Sequence, residues 1–388
     1  MPPPVYFLSY SRENVNDVKI IAKTLMIHGI EVWQDIAALG AGVAESKIRE
    51  AIQKDSNGLL LYATPQSIKS VFIRKVELPE ADKRHKKDRD FQIVPVFALP
   101  IESATAALKD CLTIPISNFN GAKVTGTGVF HNVLAAAQRV TEIILNDISL
   151  EERDPLPIGL SSKQKTSEDV ALHLDFMSFF ENGLPSTEVW TEQFSPALNS
   201  IKSALVKRNR LSLRLHAFCH LSLGYLFGYV FRKTTGYRLE IEQVSNNKRA
   251  NWATDASRED NPLRVVELPG TLESRDLCVK INLMSADDNS VARYAQKTGA
   301  SYRAVLELLP SSYPCMITES EAIAIAMDLA GKIKQMHARY DTSTVHLFAA
   351  IPLGLALLIG YNMNACGTIQ CYEFDNAHRE YLPSCTLR

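Results

Sequence analysis

The first third of the chain alternates short apolar runs with stretches of helical period. Val5-Tyr6-Phe7-Leu8 is an apolar run closed by Ser9, Tyr10 and Ser11, where a strand would end. Val15, Val18, Ala22 and Leu25 then recur at helical spacing up to Gly29, a suitable C-cap. Val32-Trp33 predicts a second strand before the small-residue loop from Asp35 to Gly42. Ile48, Ala51 and Ile52 mark a second helix, and Leu59-Leu60-Leu61-Tyr62 a third strand. A helix after Ser70 leads to the strand Ile93-Val94-Pro95-Val96-Phe97. A last helix opens at Thr127-Gly128 and carries Val133, Leu134, Ala137, Val140 and Ile144. Strands separated by helices imply an α/β fold with a parallel sheet covered on both faces, and such sheets bind ligands beyond the carboxyl ends of their strands.

The pattern changes at Glu151. The segment EERDPLPIGLSSKQKTSED is polar, holds two prolines and shows neither helical nor strand period, so it reads as a connection between domains. The expected division is residues 1–149, a linker over 150–165, and a second domain over 166–388. Within that second domain a repeat is visible. At one fixed offset, His216, Phe218, Leu223 and Gly224 fall on His346, Phe348, Leu353 and Gly354. Each copy predicts a strand, a nearly uncharged helix and another strand, Tyr237 to Gln243 in the first and Thr368 to Phe374 in the second. Between the copies, the apolar runs Cys278 to Met284 and Tyr302 to Leu309 flank a polar helical stretch around Asp288 to Lys297. Two fused, related α/β halves account for this order, with a shared cleft on their pseudo-twofold axis.

Composition narrows the function. With 42 Lys+Arg against 43 Asp+Glu, the formal charge of -1 gives no global field toward duplex nucleic acid or anionic lipid, so neither is an expected partner. The seven cysteines form no CxxC pair and are odd in number, which fits a reducing, cytoplasmic compartment. Thr342 to Tyr372 contains no charged side chain, but Pro352 and Gly354 interrupt its apolar centre, so it reads as a buried strand and helix rather than a membrane span. The chain holds no GxSxG, P-loop, HExxH or GxGxxG motif, and no metal or cofactor is expected. His216 and His220 stand four apart with Cys219 between them. Packing or capping explains them better than metal ligation, because a strand-to-helix junction points them differently. The basic run KRHKKDR from Lys83 to Arg89 reads as a solvated helix end.

The first domain carries FLSYSREN (Phe7 to Asn14), VWQD (Val32 to Asp35), GLLLYATPQS (Gly58 to Ser67), SVFIRKVELPEA (Ser70 to Ala81) and IVPVF (Ile93 to Phe97). In this order and spacing they resemble a TIR domain, which implies a flavodoxin-like fold. Bacterial TIR domains often cleave NAD+ with one glutamate, and the position matching that glutamate in the SxFIxxxELP pattern is Glu77. The chemistry suits a lone carboxylate. Nicotinamide is already a cationic leaving group, so the site has only to stabilise the oxocarbenium-like ribose left behind. The resemblance implies Phe7, Tyr10 and Trp33 as a stacking wall, Ser9 and Ser70 as donors to ribose or phosphate, and Asp35 at the edge of the loop. Glu80 is the rival carboxylate, or else a solvated helix position after Pro79. Two departures stand out: the Asp35 to Gly42 loop lacks the proline of many signalling TIR domains, and Phe72 stands where bacterial relatives often have Trp.

The second domain, through LHAFCHLSLGYLFGY (Leu215 to Tyr229), YRLEIEQ, Trp252 and HLFAAIPLGLALLIG (His346 to Gly360), resembles a SAVED domain, a sensor of cyclic oligonucleotides built from two CARF-like halves. A TIR domain joined to it resembles the TIR-SAVED effectors of CBASS anti-phage immunity, in which a cyclic trinucleotide triggers NAD+ destruction. That likeness implies Cys219, His220, Ser285, Ile351 and Pro352 as a phosphate cradle and Trp252 as a face for base stacking. Arg232, Lys233 and Lys280 are unranked candidates for the ligand phosphates. It also implies self-assembly into an oligomer or filament. Two other readings remain open: a non-catalytic TIR interaction module, and an enzymatic second domain with the TIR as recruiter. The expected absence of a nucleophile–base pair beyond Leu150 argues against the latter.

Overall fold

The computed structural model describes residues 2–33, 41–126, 132–166, 168–245, 248–284 and 289–388. Its contacts divide the chain into two compact units, Met1–Glu152 with Asp169–Phe176, and Arg153–Glu168 with Met177–Arg388.

The first unit contains β1 (Val5–Ser9), α1 (Val15–Ile27), β2 (Glu31–Trp33), α2 (Ala41–Glu50), β3 (Gly58–Ala63), α3 (Leu78–Lys87), β4 (Gln92–Phe97), α4 (Ile101–Leu108), β5 (Ala122–Lys123) and α5 (Val133–Asp147). Its strands lie in the order β2-β1-β3-β4-β5, all parallel. This is the flavodoxin-like order, whose topological switch point lies between β1 and β3. Alternation decides the two faces. Phe7, Leu59, Leu61, Ala63, Ile93 and Phe97 pack with Ile48, Ile52, Leu78, Ala81, Ala104 and Leu108 of α2, α3, α4 and the turn after α2. Tyr6, Leu8, Leu60, Tyr62, Val94 and Val96 are buried on the alternate positions, and Tyr62 reaches Asp17 of α1 at 2.7 Å. The segment Asp169–Phe176 of this unit carries β7 (Leu172–Asp175).

The second unit starts earlier than the sequence pattern suggests. The stretch read as a linker contains β6 (Leu156–Ser161), buried at every position. A strand covered on both faces has no polar–apolar alternation to betray it, and Pro157 and Gly159 further disguise it. A short helical turn, α6 (Thr187–Val189), then runs through a π-turn into α7 (Ser195–Lys207). β8 (Ser212–Phe218), α8 (Leu221–Val230), β9 (Arg238–Ser245) and β10 (Lys248–Ala253) complete the first half. The second half runs β11 (Arg264–Pro269), β12 (Leu277–Asn282), α9 (Ser290–Thr298), β13 (Ala304–Leu309), α10 (Glu319–Tyr340), β14 (Thr344–Ala350), α11 (Leu353–Asn362), β15 (Thr368–Asp375) and β16 (Glu380–Leu387).

The repeat is present in the fold. In the first half β6, β8 and β9 are parallel neighbours with β10 antiparallel at the edge. In the second half β12, β14 and β15 repeat that order, with β16 antiparallel at the edge. The repeated helices α8 and α11 are apolar nearly all round, as helices buried on every side must be, and they pack against each other. Glycines set their closest approach. A Cβ on Gly228 would come 2.1 Å from the Leu357 carbonyl oxygen, and one on Gly360 2.1 Å from that of Tyr225. The charge-free stretch Thr342 to Tyr372 is thus a strand and a ten-residue core helix. Among the described residues no helix is long and apolar enough to cross a membrane.

Candidate functional site

In the first unit the carboxylate expected to act is at the switch point. Ser9, the last residue of β1, donates its hydroxyl to Glu77 Oε2 at 2.5 Å, and the Glu77 side chain is buried with its residue only 8 % exposed. Glu77 closes a π-turn, Ile73–Glu77, that continues into α3. The local sequence explains that turn. Pro79 has no N–H for the Lys75 carbonyl and its ring crowds that oxygen, so the preceding turn widens. The π-turn ahead of α7 obeys the same rule: it spans Trp190–Phe194 and ends two residues before Pro196. Ser70 Oγ accepts the backbone N–H of Ile73 at 3.4 Å, which helps to start the helix that carries Glu77.

The stacking wall is only partly as expected. Phe7 is 1 % exposed and belongs to the core, so it cannot face a substrate; it backs Trp33, with ring centroids 4.9 Å apart and planes at 20°. Trp33 and Tyr10 are half-buried. The sequence run Val5-Tyr6-Phe7-Leu8 did not reveal which face Phe7 takes, because both faces of this strand are covered. Asp35 lies outside the described residues. Glu80 is neither a free rival nor solvated: it pairs with Arg49 and accepts Gln53 Nε2 at 2.9 Å, which ties α3 to α2 and the turn that follows it.

In the second unit the repeated strand–helix junctions bring most of the expected residues to two helix N-termini. His220 is the N-cap of α8 and Pro352 the N-cap of α11, each preceded by a buried residue, Cys219 and Ile351. Ser162, just past β6, accepts the His220 backbone N–H at 2.9 Å and contacts His220 Nδ1 at 2.8 Å. A serine and a histidine therefore do meet beyond Leu150, which sequence order hid because they are far apart in the chain. The hydroxyl is buried and held by both groups of His220, as a cap rather than a free nucleophile. The imidazole stacks on Phe180 at 4.2 Å, and burial, aided by the Lys163 charge, lowers its pKa to about 4. His220 is therefore neutral at pH 7.

The two halves cap each other's helices, a feature the sequence reading missed. Glu373 of β15 accepts the Ser222 N–H at 3.0 Å, the Ser222 hydroxyl at 2.8 Å and the Leu221 N–H at 3.3 Å, all at the start of α8. Gln243 of β9 accepts the Gly354 N–H at 2.9 Å at the start of α11. The offset that relates His216 to His346 also relates Gln243 to Glu373, so extending the repeat into β9 and β15 would have found the pair. The cross-caps are not chemically equivalent: α8 starts against a buried carboxyl group and α11 against a neutral amide.

Trp252 of β10 also crosses between the halves. It is 6 % exposed and packs on Gly354, where an added Cβ would come 2.7 Å from its ring, so it offers no open face for a base. Arg232 and Lys233 follow the carboxyl end of α8, away from its capped start, and Lys280 lies within β12 with Glu307 at 3.7 Å. The basic residue that does stand beside the start of α8 is Lys163, whose charge acts on Cys219, His220 and Glu373. It escaped notice because it follows β6 in the segment read as a linker. Ser285 lies outside the described residues.

Burial raises the Glu373 pKa against the opposing pull of its hydrogen bonds and Lys163. An acid whose folded pKa lies above its unfolded value costs stability as pH rises from the unfolded value of 4.5 through the folded one. Glu373→Gln keeps a cap acceptor without that cost. Its melting temperature relative to wild type should therefore rise between pH 4 and pH 8, by about 2–4 °C for each 1 kcal/mol involved. A parallel course of the two melting curves across that range would show that Glu373 is not titrating in this way.

Comparison with known proteins matches this architecture. The family model described as "SMODS-associated and fused to various effectors sensor domain" (SAVED) covers residues 194–387, which is half of the chain. The chain belongs to the SAVED family. A TIR domain model covers residues 7–123, the part that holds Ser9 and Glu77. CD-NTase-associated protein 4 of Moraxella osloensis is 24 % identical over 239 residues, 60 % of this chain and 49 % of that protein. Its namesake from an Acinetobacter species is 21 % identical over 239 residues, with the same coverage. The chain thus spans about half the length of the curated relatives it matches. Among solved structures, the Acinetobacter baumannii Cap4 SAVED/CARF-domain containing receptor with the cyclic trinucleotide 3′3′3′-cAAA aligns with a TM-score of 0.53 at 17 % identity, over 90 % of this chain and 86 % of that one. The same receptor with 2′3′3′-cAAA gives 0.51 at the same identity and coverage. At this identity the likeness is one of fold. A TIR domain and a SAVED sensor domain in one chain bear out the resemblances drawn from the sequence.

Proposed function

We propose that this chain is an NAD+ glycohydrolase of cytoplasmic anti-phage defence, gated by a cyclic oligonucleotide bound at its SAVED unit. The observation that carries the enzymatic half is the buried Glu77 carboxylate bonded to Ser9 at the β1/β3 switch point of the TIR fold. There the C1′–N bond of NAD+ breaks, and its electron pair stays on nicotinamide, which leaves neutral. The Glu77 carboxylate stabilises the oxocarbenium-like ribose and accepts from its hydroxyls in place of Ser9. Water adds at C1′ and loses a proton, giving ADP-ribose. No metal or further cofactor takes part in this scheme.

The activator is assigned from the relatives' ligand, a cyclic trinucleotide. Its phosphates would meet the starts of α8 and α11, with Lys163 as the nearby cation and neutral His220 beside it. Binding that draws the two cross-capped halves together would order an assembly of several chains, in which neighbouring TIR units complete one another's sites.

NAD+ consumption by the purified chain, alone and with 3′3′3′-cAAA, 2′3′3′-cAAA or a cyclic dinucleotide, tests this reading. We expect one trinucleotide to raise the rate on the order of a hundredfold, a coupling of about 3 kcal/mol, together with a rise in light scattering. Saturated binding without NAD+ loss would instead favour an interaction role for the TIR unit. Breakdown of the added nucleotide would make the SAVED unit the enzyme.

A further inference from the structure

At the other end of α8 from its cap by Glu373, a cavity of about 310 Å³ opens within the second unit. Trp190, Ser195, Lys202, Tyr229, Val230 and Arg232 are among its walls, and no Asp or Glu side chain lines it. Two of its buried donors lack an acceptor. Trp190 is 1 % exposed, yet its indole N–H has no partner, and the buried Arg232 Nε has none either. Arg232 Nη1 donates to the Tyr229 carbonyl at 2.8 Å, and the guanidinium lies 4.5 Å from the centre of the Tyr229 ring. Lys202 donates to Asn199 Oδ1 at 2.9 Å, and among the described residues neither Lys202 nor Arg232 forms an ion pair. Burial, and then the nearby charge of Arg232, lower the Lys202 pKa, so the two cations act on each other without a counter-charge. The main-chain oxygen of Arg388, at the cavity wall, accepts from the Tyr229 hydroxyl.

A buried N–H without an acceptor costs about 1–3 kcal/mol, and paired like charges add to it. One oxyanion would relieve all of these at once by accepting from the indole and guanidinium N–H groups and neutralising the cations. We propose that this cavity is a second ligand site of the sensor unit, taking a small phosphate-bearing anion. Its volume accommodates a phosphate with a small attached body, for which Leu226, Val230 and the Tyr229 ring supply apolar walls. The site is distinct from the cleft at the start of α8, about 15 Å away along a helix of this length. A ligand here would grip the far end of the helix that Glu373 holds at the other.

The chain has three tryptophans, so a 15N-labelled full-length sample gives three indole N–H signals, and Trp190→Phe identifies the relevant one. Titration with inorganic phosphate, and separately with AMP, should move the Trp190 signal saturably while the other two stay in place; the tighter of the two ligands names the source of the phosphate. Lys202→Met and Arg232→Gln, each checked for an unchanged indole spectrum before titration, should weaken the response at least tenfold. A Trp190 signal that does not move, that sodium chloride moves equally at matched ionic strength, or that moves as readily in both variants would overturn the proposal.

Discussion

Glu77→Gln should abolish ligand-stimulated NAD+ cleavage, lowering the rate on the order of 10³-fold, while leaving the fold intact. The amide is the same size as the carboxylate, and its oxygen can still accept the Ser9 hydroxyl now bonded at 2.5 Å. What disappears is the negative charge, and the proposed reaction depends on that charge. The transition state is cationic at ribose, and the leaving group needs no proton, so proton transfer by another group would not replace the lost charge. Ser9→Ala should cost less, because it removes a partner of the carboxylate and not the carboxylate itself. Glu80→Gln is the matched control: it loses the pair with Arg49 on the neighbouring helix but touches no part of the site, so its NAD+ turnover should stay near wild type. The measurement is NAD+ loss at saturating activator, with melting temperatures for each variant. If Glu77→Gln keeps more than a tenth of the activity, another group carries the charge stabilisation.

Most of the first unit was legible in the sequence, but the short α4 and the two-residue β5 were not. Its strands are short, apolar and parted by turn residues, so their order along the chain could be read, whereas Glu77 was marked only by the likeness of SVFIRKVELPEA to a TIR domain and its bond to Ser9 is visible only in the fold. Legibility failed where a residue's role depends on what covers it. Phe7 and Trp252 are large aromatics that a sequence offers equally as walls or as core; in the fold one backs Trp33 and the other fills the space over Gly354. β6 was lost because burial on both faces erases its period, and Lys163 was lost with it. Gln243 and Glu373 were hidden differently. Each caps a helix of the opposite half, a contact more than a hundred residues away in sequence that no local spacing encodes.

The junction between those halves carries the second large effect. Gly228→Ala should destabilise the sensor unit by about 3 kcal/mol, at the upper end of ordinary overpacking, and Gly360→Ala should do the same. Intrinsic propensity points the other way, since alanine favours a helix over glycine by about 1 kcal/mol. Packing wins here because the obstructing atoms are backbone: a Cβ on Gly228 meets the Leu357 carbonyl oxygen at 2.1 Å and the Tyr361 nitrogen at 2.9 Å, and neither can swing aside as a side chain would. The helices must separate instead, and with them the strands whose Gln243 and Glu373 hold the opposite helix starts. Cyclic-trinucleotide affinity should therefore fall together with stability. Gly331, in α10, supplies the contrast, because nothing lies within 4 Å of its would-be Cβ. There the propensity term acts alone, so Gly331→Ala should gain about 0.5–1 kcal/mol. Urea unfolding of the three variants separates the two effects by sign. A Gly228→Ala protein as stable as wild type would mean that α8 and α11 do not approach this closely, and the cross-capped cleft would have to be redrawn.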